Sequence, residues 1–158
     1  MSGFPILSLV TFLPLAGALF ILTIRDVDQA IVARNARYVA LWASSINFLL
    51  SLYLWFNFDG STSAFQFVEK AEWMPVFELS YHMGVDGISV LFIMLTTLLT
   101  PICILASWDT IKDRVKEYMI SFLILETLMV GMFCALDLVV FYIFFEGVLI
   151  PMFMIIGI

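Results

Sequence analysis

Residues 118–136 (YMISFLILETLMVGMFCAL) and 138–158 (LVVFYIFFEGVLIPMFMIIGI) are apolar almost throughout, are separated by Asp137 alone, and carry one glutamate each. A helix rises 1.5 Å per residue, so about 20 apolar residues cross the roughly 30 Å hydrocarbon core of a bilayer. Both stretches are long enough to span. One intervening residue leaves room only for a tight turn at the membrane surface, so the pair reads as an antiparallel hairpin. Asp137 is placed to cap the second helix by accepting from its orphan N–H groups.

Three further windows of the same kind lie upstream, at 4–24, 38–58 and 87–108. The reading is therefore an all-α polytopic membrane protein, one membrane domain over 1–158 with five transmembrane helices. Composition agrees: 63% of residues are hydrophobic and 13% charged, with a mean hydropathy of +1.10, against about 45–50% apolar in soluble domains. The start, Met1-Ser2-Gly3-Phe4-Pro5, has no basic n-region, and the long apolar run after it reads as an uncleaved first span.

Basic residues orient the spans. The first loop holds Arg25, Arg34 and Arg37, and the third holds Lys112, Arg114 and Lys116. The second loop, 59–86, has Lys70 against Asp59, Glu69, Glu72, Glu78 and Asp86. Loops one and three are expected inside, with the N-terminus on the outer side. In the outer loop, 64–69 and 77–81 alternate apolar and polar residues around Trp73-Met74-Pro75, which predicts a small surface hairpin.

Inside the spans, polar residues follow a pattern. Ser44, Asn47 and Ser51 share one helical face, the spacing expected for interhelical hydrogen bonds. Pro14, Pro101 and Pro151 each remove a backbone bond; for Pro101 the freed carbonyl is that of Thr97, with Thr96 and Thr100 nearby to re-satisfy the backbone. Cys103 and Cys134 sit at different depths and read as small apolar residues. The sequence has no CxxC, no histidine pair and no glycine-rich phosphate loop, so no catalytic, cofactor or metal residue is assigned to this chain. Nor does it offer a basic surface that could track nucleic-acid phosphates.

Of the 13 acidic residues, only Glu126 and Glu146 lie inside apolar runs, and no lysine or arginine does. A carboxylate at mid-bilayer costs about 2.5–3.5 kcal/mol on insertion scales, so each needs a paired, protonated or hydrated setting. Measured from the outer turn, Glu146 is about 8 residues along its helix and Glu126 about 10, roughly 12 and 15 Å deep. If their faces converge, repulsion and desolvation let one of them gain and lose a proton near neutral pH. Glu126 has an equal alternative as a neutral interhelical contact. Glu146 has more local support: Gly147 permits close helix approach, and Pro151 frees the Gly147 carbonyl and bends the helix beside the acid. Asp86 and Asp137 read as helix caps and His82 as an interfacial contact.

Two motifs carry a resemblance. Residues 141–152, FYIFFEGVLIPM, are similar to the fifth-helix signature of the M-type antiporter-like subunit of proton-translocating NADH:quinone oxidoreductase (complex I), subunit 4 in mitochondria. Residues 81–89, YHMGVDGIS, resemble that family's approach to helix three, and Lys116-Glu117-Tyr118-Met119 and Leu136-Asp137-Leu138 also fit.

The resemblance implies a subunit of about fourteen helices, of which this chain supplies the first part. In that subunit the helix-five glutamate, here Glu146, pairs with a lysine on a later helix to move protons while quinone is reduced elsewhere. FMN, iron–sulfur clusters and quinone then belong to partner subunits, and the membrane is the bacterial cytoplasmic or mitochondrial inner one. Two other readings stay open. One is a subunit of a multi-subunit cation/proton antiporter or membrane-bound hydrogenase, which shares the glutamate. The other is a non-transporting helical scaffold for complex assembly, in which Glu146 is dispensable for pumping.

Overall fold

The computed structural model describes residues 5–61, 64–77 and 79–157. Its elements are helix α1 (Ile6–Leu22), helix α2 (Gln29–Phe56), strand β1 (Gln66–Met74), a single 3-10 turn (Pro75–Phe77), strand β2 (Leu79–Val85), helix α3 (Gly87–Ala106), helix α4 (Val115–Cys134), helix α5 (Leu138–Gly147) and helix α6 (Leu149–Gly157). Four helical stretches are long and apolar enough to cross a membrane: α2, α3, α4 and the joined α5–α6 run Leu138–Gly157; α1 is a shorter apolar helix. The expected span limits at Phe4 and Ile158, and Glu78 in the expected hairpin, lie outside the described residues.

The second span begins earlier than hydropathy suggests. Asp28 accepts from the Ala30 N–H and caps a 28-residue helix that carries Arg34 and Arg37, two residues that hydropathy assigns to a loop. A hydropathy window senses where a helix enters lipid, whereas the helix itself starts at its cap. The buried face then runs continuously through Val32, Ala36, Ala40, Ser44, Asn47, Ser51 and Leu54, the three- and four-residue spacing of one helical stripe. The last span has the opposite correction: it is interrupted at Val148, giving α5 and α6. Pro151 lacks the N–H that would bond the Gly147 carbonyl, which accounts for the break one residue after Gly147.

Helix α4 is the hub, packing against α1, α2, α3, α5 and α6. Its closest approaches use glycines. Gly17 of α1 leaves no room for a side chain beside Ala43 of α2 and Leu123 of α4, and Gly131 of α4 receives the Phe144 ring of α5 at a distance a methyl group could not share. Half of the α4 span is buried against 17% of the α5–α6 span, so a polar group on α4 is enclosed while one on α5 can face outward.

The expected surface hairpin is present, with longer strands than the alternation indicates. β1 and β2 pair antiparallel, with Lys70 opposite His82 and Ala71 opposite Tyr81. The hairpin is tied to the helices at two points. The Ser8 hydroxyl and backbone N–H at the start of α1 both donate to Glu69, and the Ser8 hydroxyl also bonds the Tyr81 hydroxyl at 2.7 Å. At the α4–α5 turn, the Leu136 N–H donates to the His82 carbonyl, Met83 bridges Ala135, and the Ser80 N–H donates to Asp137.

Asp137 therefore does two jobs, since its other oxygen caps α5 through the Val139 N–H. The Ser80 N–H, followed by the Val139 and Val140 N–H groups and the His82 charge, holds its carboxyl below the ordinary 3.8. A lowered folded value means that the tie is present above the unfolded value and is lost as pH falls through the folded one. Acidification below about pH 4 should release β2 from the turn, seen as faster hydrogen exchange at Ser80 and Leu136. In Asp137→Asn this acid step should be absent. Asp86, the other predicted cap, accepts from the Ser89 N–H at the start of α3.

Candidate functional site

Glu126 is 1% exposed and faces α2, where the Asn47 carboxamide donates to its Oε1 at 3.1 Å. Asn47 comes from the predicted polar stripe, as does Ser51, whose hydroxyl bonds Thr97 of α3 at 2.8 Å. Ser44 turns back to the Ala40 and Leu41 carbonyls of its own helix. Two of the three stripe residues thus make interhelical bonds, and one of them serves the buried acid. The α3 threonines do not bond the carbonyl that Pro101 frees: Thr96, Thr97 and Thr100 donate to Phe92, to Ile93 and Met94, and to Thr96 respectively.

Glu126 also borders a cavity of about 390 Å³ between α3 and α4. Its walls are almost wholly apolar, with Phe92, Leu95 and Leu99 on one side and Phe122, Met129 and Phe133 on the other.

Glu146 has a different setting. Gly131 meets Phe144, and Gly147 faces Leu128 so closely that an added Cβ would lie 3.2 Å from its side chain; both contacts give the same antiparallel register, which sets Glu146 opposite residue 129. It lies about three residues, or roughly 4.5 Å along the axis, from Glu126. The two acids therefore share a depth, as the hairpin requires. Their faces do not converge. Glu126 points into the α2 seam, whereas Glu146 is exposed on α5 and its carboxylate has no hydrogen-bond or ionic partner among the described residues. The condition for mutual repulsion between them is not met in this packing. Gly147 packs beside Leu128 of α4.

The α1–α2 and α3–α4 connections show where the basic residues go. The Lys116 ammonium donates to the Ile24 carbonyl just past the end of α1 at 2.9 Å, a favourable place for a cation at a helix C-terminus. Arg37 donates to the Ile111 carbonyl and lies over the Trp108 ring. Cys103 and Cys134 are unpaired.

A family model described as NADH-ubiquinone oxidoreductase chain 4, amino terminus, matches residues 31–136. The chain belongs to the NADH-ubiquinone oxidoreductase chain 4 family. Relatives include NADH-ubiquinone oxidoreductase chain 4 of Marchantia polymorpha, 47% identical over 96% of this chain and 30% of its own length. NADH-quinone oxidoreductase subunit M of Rhodobacter capsulatus is 52% identical over 97% of this chain and 29% of its length. A chain in the structure of respiratory complex I from Thermus thermophilus with bound NADH superposes with a TM-score of 0.71 at 26% identity, covering 92% of this chain and 27% of that one. The chain thus spans about three tenths of the length of the chain 4 relatives it matches. It is a multi-pass membrane chain.

Proposed function

We propose that this chain contributes the proton-handling start of the membrane subunit of a proton-translocating NADH:quinone oxidoreductase, with Glu146 as the group that holds and passes the proton. The observation that carries the reading is the placement of Glu146: a carboxylate within a membrane span, beside the Val148 break and exposed on an apolar helix. An unpaired carboxylate facing hydrocarbon is unfavourable by several kcal/mol, so the exposed face of α5 calls for a cationic or hydrated partner on an element that packs against it. In this reading Glu146 accepts a proton when that partner withdraws and releases it when the partner's charge returns. Quinone reduction, flavin and iron–sulfur chemistry reside in neighbouring subunits. The N-terminus and the β1–β2 hairpin lie on the outer side, and the Lys116 and Arg37 ends on the inner side, of a bacterial cytoplasmic or mitochondrial inner membrane.

The subunit assignment is tested by purifying the tagged full-length protein from detergent-solubilised membranes. NADH:quinone reductase activity should co-purify with it, with flavin and iron–sulfur absorbance in the same peak. Co-purification with a cation/proton antiporter or hydrogenase activity instead would overturn the assignment.

A further inference from the structure

Among the described residues, five buried side-chain atoms have no hydrogen-bond partner: Thr11 Oγ1, Arg37 Nε, Asn47 Oδ1, Glu126 Oε2 and Thr127 Oγ1. More than about nine in ten buried polar groups are partnered in native structures, by protein or by ordered water. Four of these five, all but Arg37, lie at matching depths on α1, α2 and α4, which pack against one another. Gly17 sits against Ala43 and Leu123, and from that level Asn47 and Thr127 lie four residues toward the outer surface and Thr11 six, about 6 and 9 Å.

Their directions agree as well. Leu123 faces α1, and Thr127 follows it by four residues on the same side of α4, while Glu126, about 100° around the helix from Thr127, turns toward α2. The Cys134 thiol, seven residues beyond Thr127 on that face, lies within reach of a weak thiol–hydroxyl contact with Thr11, which leaves the hydroxyl without an N or O partner. Thr11 is in turn one helical turn from Ser8, whose hydroxyl is bonded to Glu69 and Tyr81 of the outer hairpin. The orphan atoms thus span about 4.5 Å of depth beside the Glu126–Asn47 pair, and Ser8 continues from Thr11 toward the outer hairpin.

We propose that water occupies the seam around the Glu126 carboxyl and the Asn47 carboxamide, and joins Glu126 through Thr127 and Thr11 to the outer Ser8–Tyr81–Glu69 cluster. Water suits the site chemically. Asn47 Oδ1 can only accept, while each threonine hydroxyl can donate and accept, so a molecule with two donors and two acceptors satisfies a set that direct contacts leave open. The site is distinct from Glu146, which faces away from it.

The test uses the assembled complex containing the full-length subunit. A high-resolution map should show water density within hydrogen-bond distance of Asn47 Oδ1 and Glu126. Infrared difference spectra should show a carboxyl band, identified by its loss in Glu126→Gln, that exchanges in D2O. Thr11→Val and Thr127→Val should each slow that exchange about five- to tenfold, the worth of one lost hydrogen bond. A map with no water density beside Asn47 Oδ1 and Glu126 Oε2 overturns the hydration. Density with exchange unchanged in both valine variants overturns the route to the outer cluster. Neither readout depends on proton pumping, so failure here leaves the role of Glu146 standing, and failure there leaves this site standing.

Discussion

Asn47→Leu will destabilise the subunit by about 1–3 kcal/mol, the cost of leaving a buried polar partner unsatisfied. The reason is asymmetry. Asn47 supplies the hydrogen bond to Glu126 Oε1, and both residues are almost completely enclosed. Removing the amide takes away the protein donor to that buried carboxyl oxygen. Glu126→Leu strands the Asn47 donor in the same way. The double variant Asn47→Leu/Glu126→Leu leaves two apolar side chains in contact and should lose much less than the sum of the singles, a coupling of about 0.5–3 kcal/mol in a double-mutant cycle. The readout is the thermal unfolding midpoint of the purified complex. Additive losses would mean that the 3.1 Å contact contributes nothing specific and that each residue is held by other neighbours. Isosteric Glu126→Gln keeps an acceptor for Asn47 and should be the mildest of the set.

The same pair separates what is legible in one dimension from what needs three. The stripe Ser44, Asn47 and Ser51 announces a polar face because a 3.6-residue period makes it visible along the chain. Which helix receives each group is not visible there, since the order of packing around α4 is a tertiary property. That is why Asn47 finding Glu126, and Ser51 finding Thr97, emerge only with the fold. Depth is legible: a single residue between two apolar runs forces a hairpin, and a hairpin fixes how far each glutamate lies from the turn. Azimuth is not. Glu126 and Glu146 share a level but face apart, because Phe144 inserts at Gly131 and Leu128 against Gly147, and those contacts set the rotation of α5 on α4.

Boundaries divide along the same line. Asp86 and Asp137 are readable as caps because capping is local chemistry, and both accept from the expected helix N-terminal amides. Hydropathy places the start of α2 nine residues late, at 38 instead of Gln29, because it gives no weight to the usable cap at Asp28. The hairpin's second role, holding the α4–α5 turn through Ser80, His82 and Met83, cannot be inferred from strand alternation, which says which residues share a face but not what that face meets.

The most direct measurement is the ratio of protons pumped to electrons transferred by the complex carrying Glu146→Gln in the full-length subunit, reconstituted in proteoliposomes and driven by NADH and quinone. A proton-transferring side chain typically contributes at least about a hundredfold to its step. Pumping and coupled turnover should therefore fall by at least about tenfold even if other groups partly compensate, while the complex assembles at wild-type yield. Electron transfer from NADH to an artificial acceptor should be unchanged, and Glu146→Asp should recover part of the pumping because it keeps a titratable carboxyl at the same depth. A wild-type proton-to-electron ratio and turnover in Glu146→Gln would contradict the account and make this chain a helical scaffold.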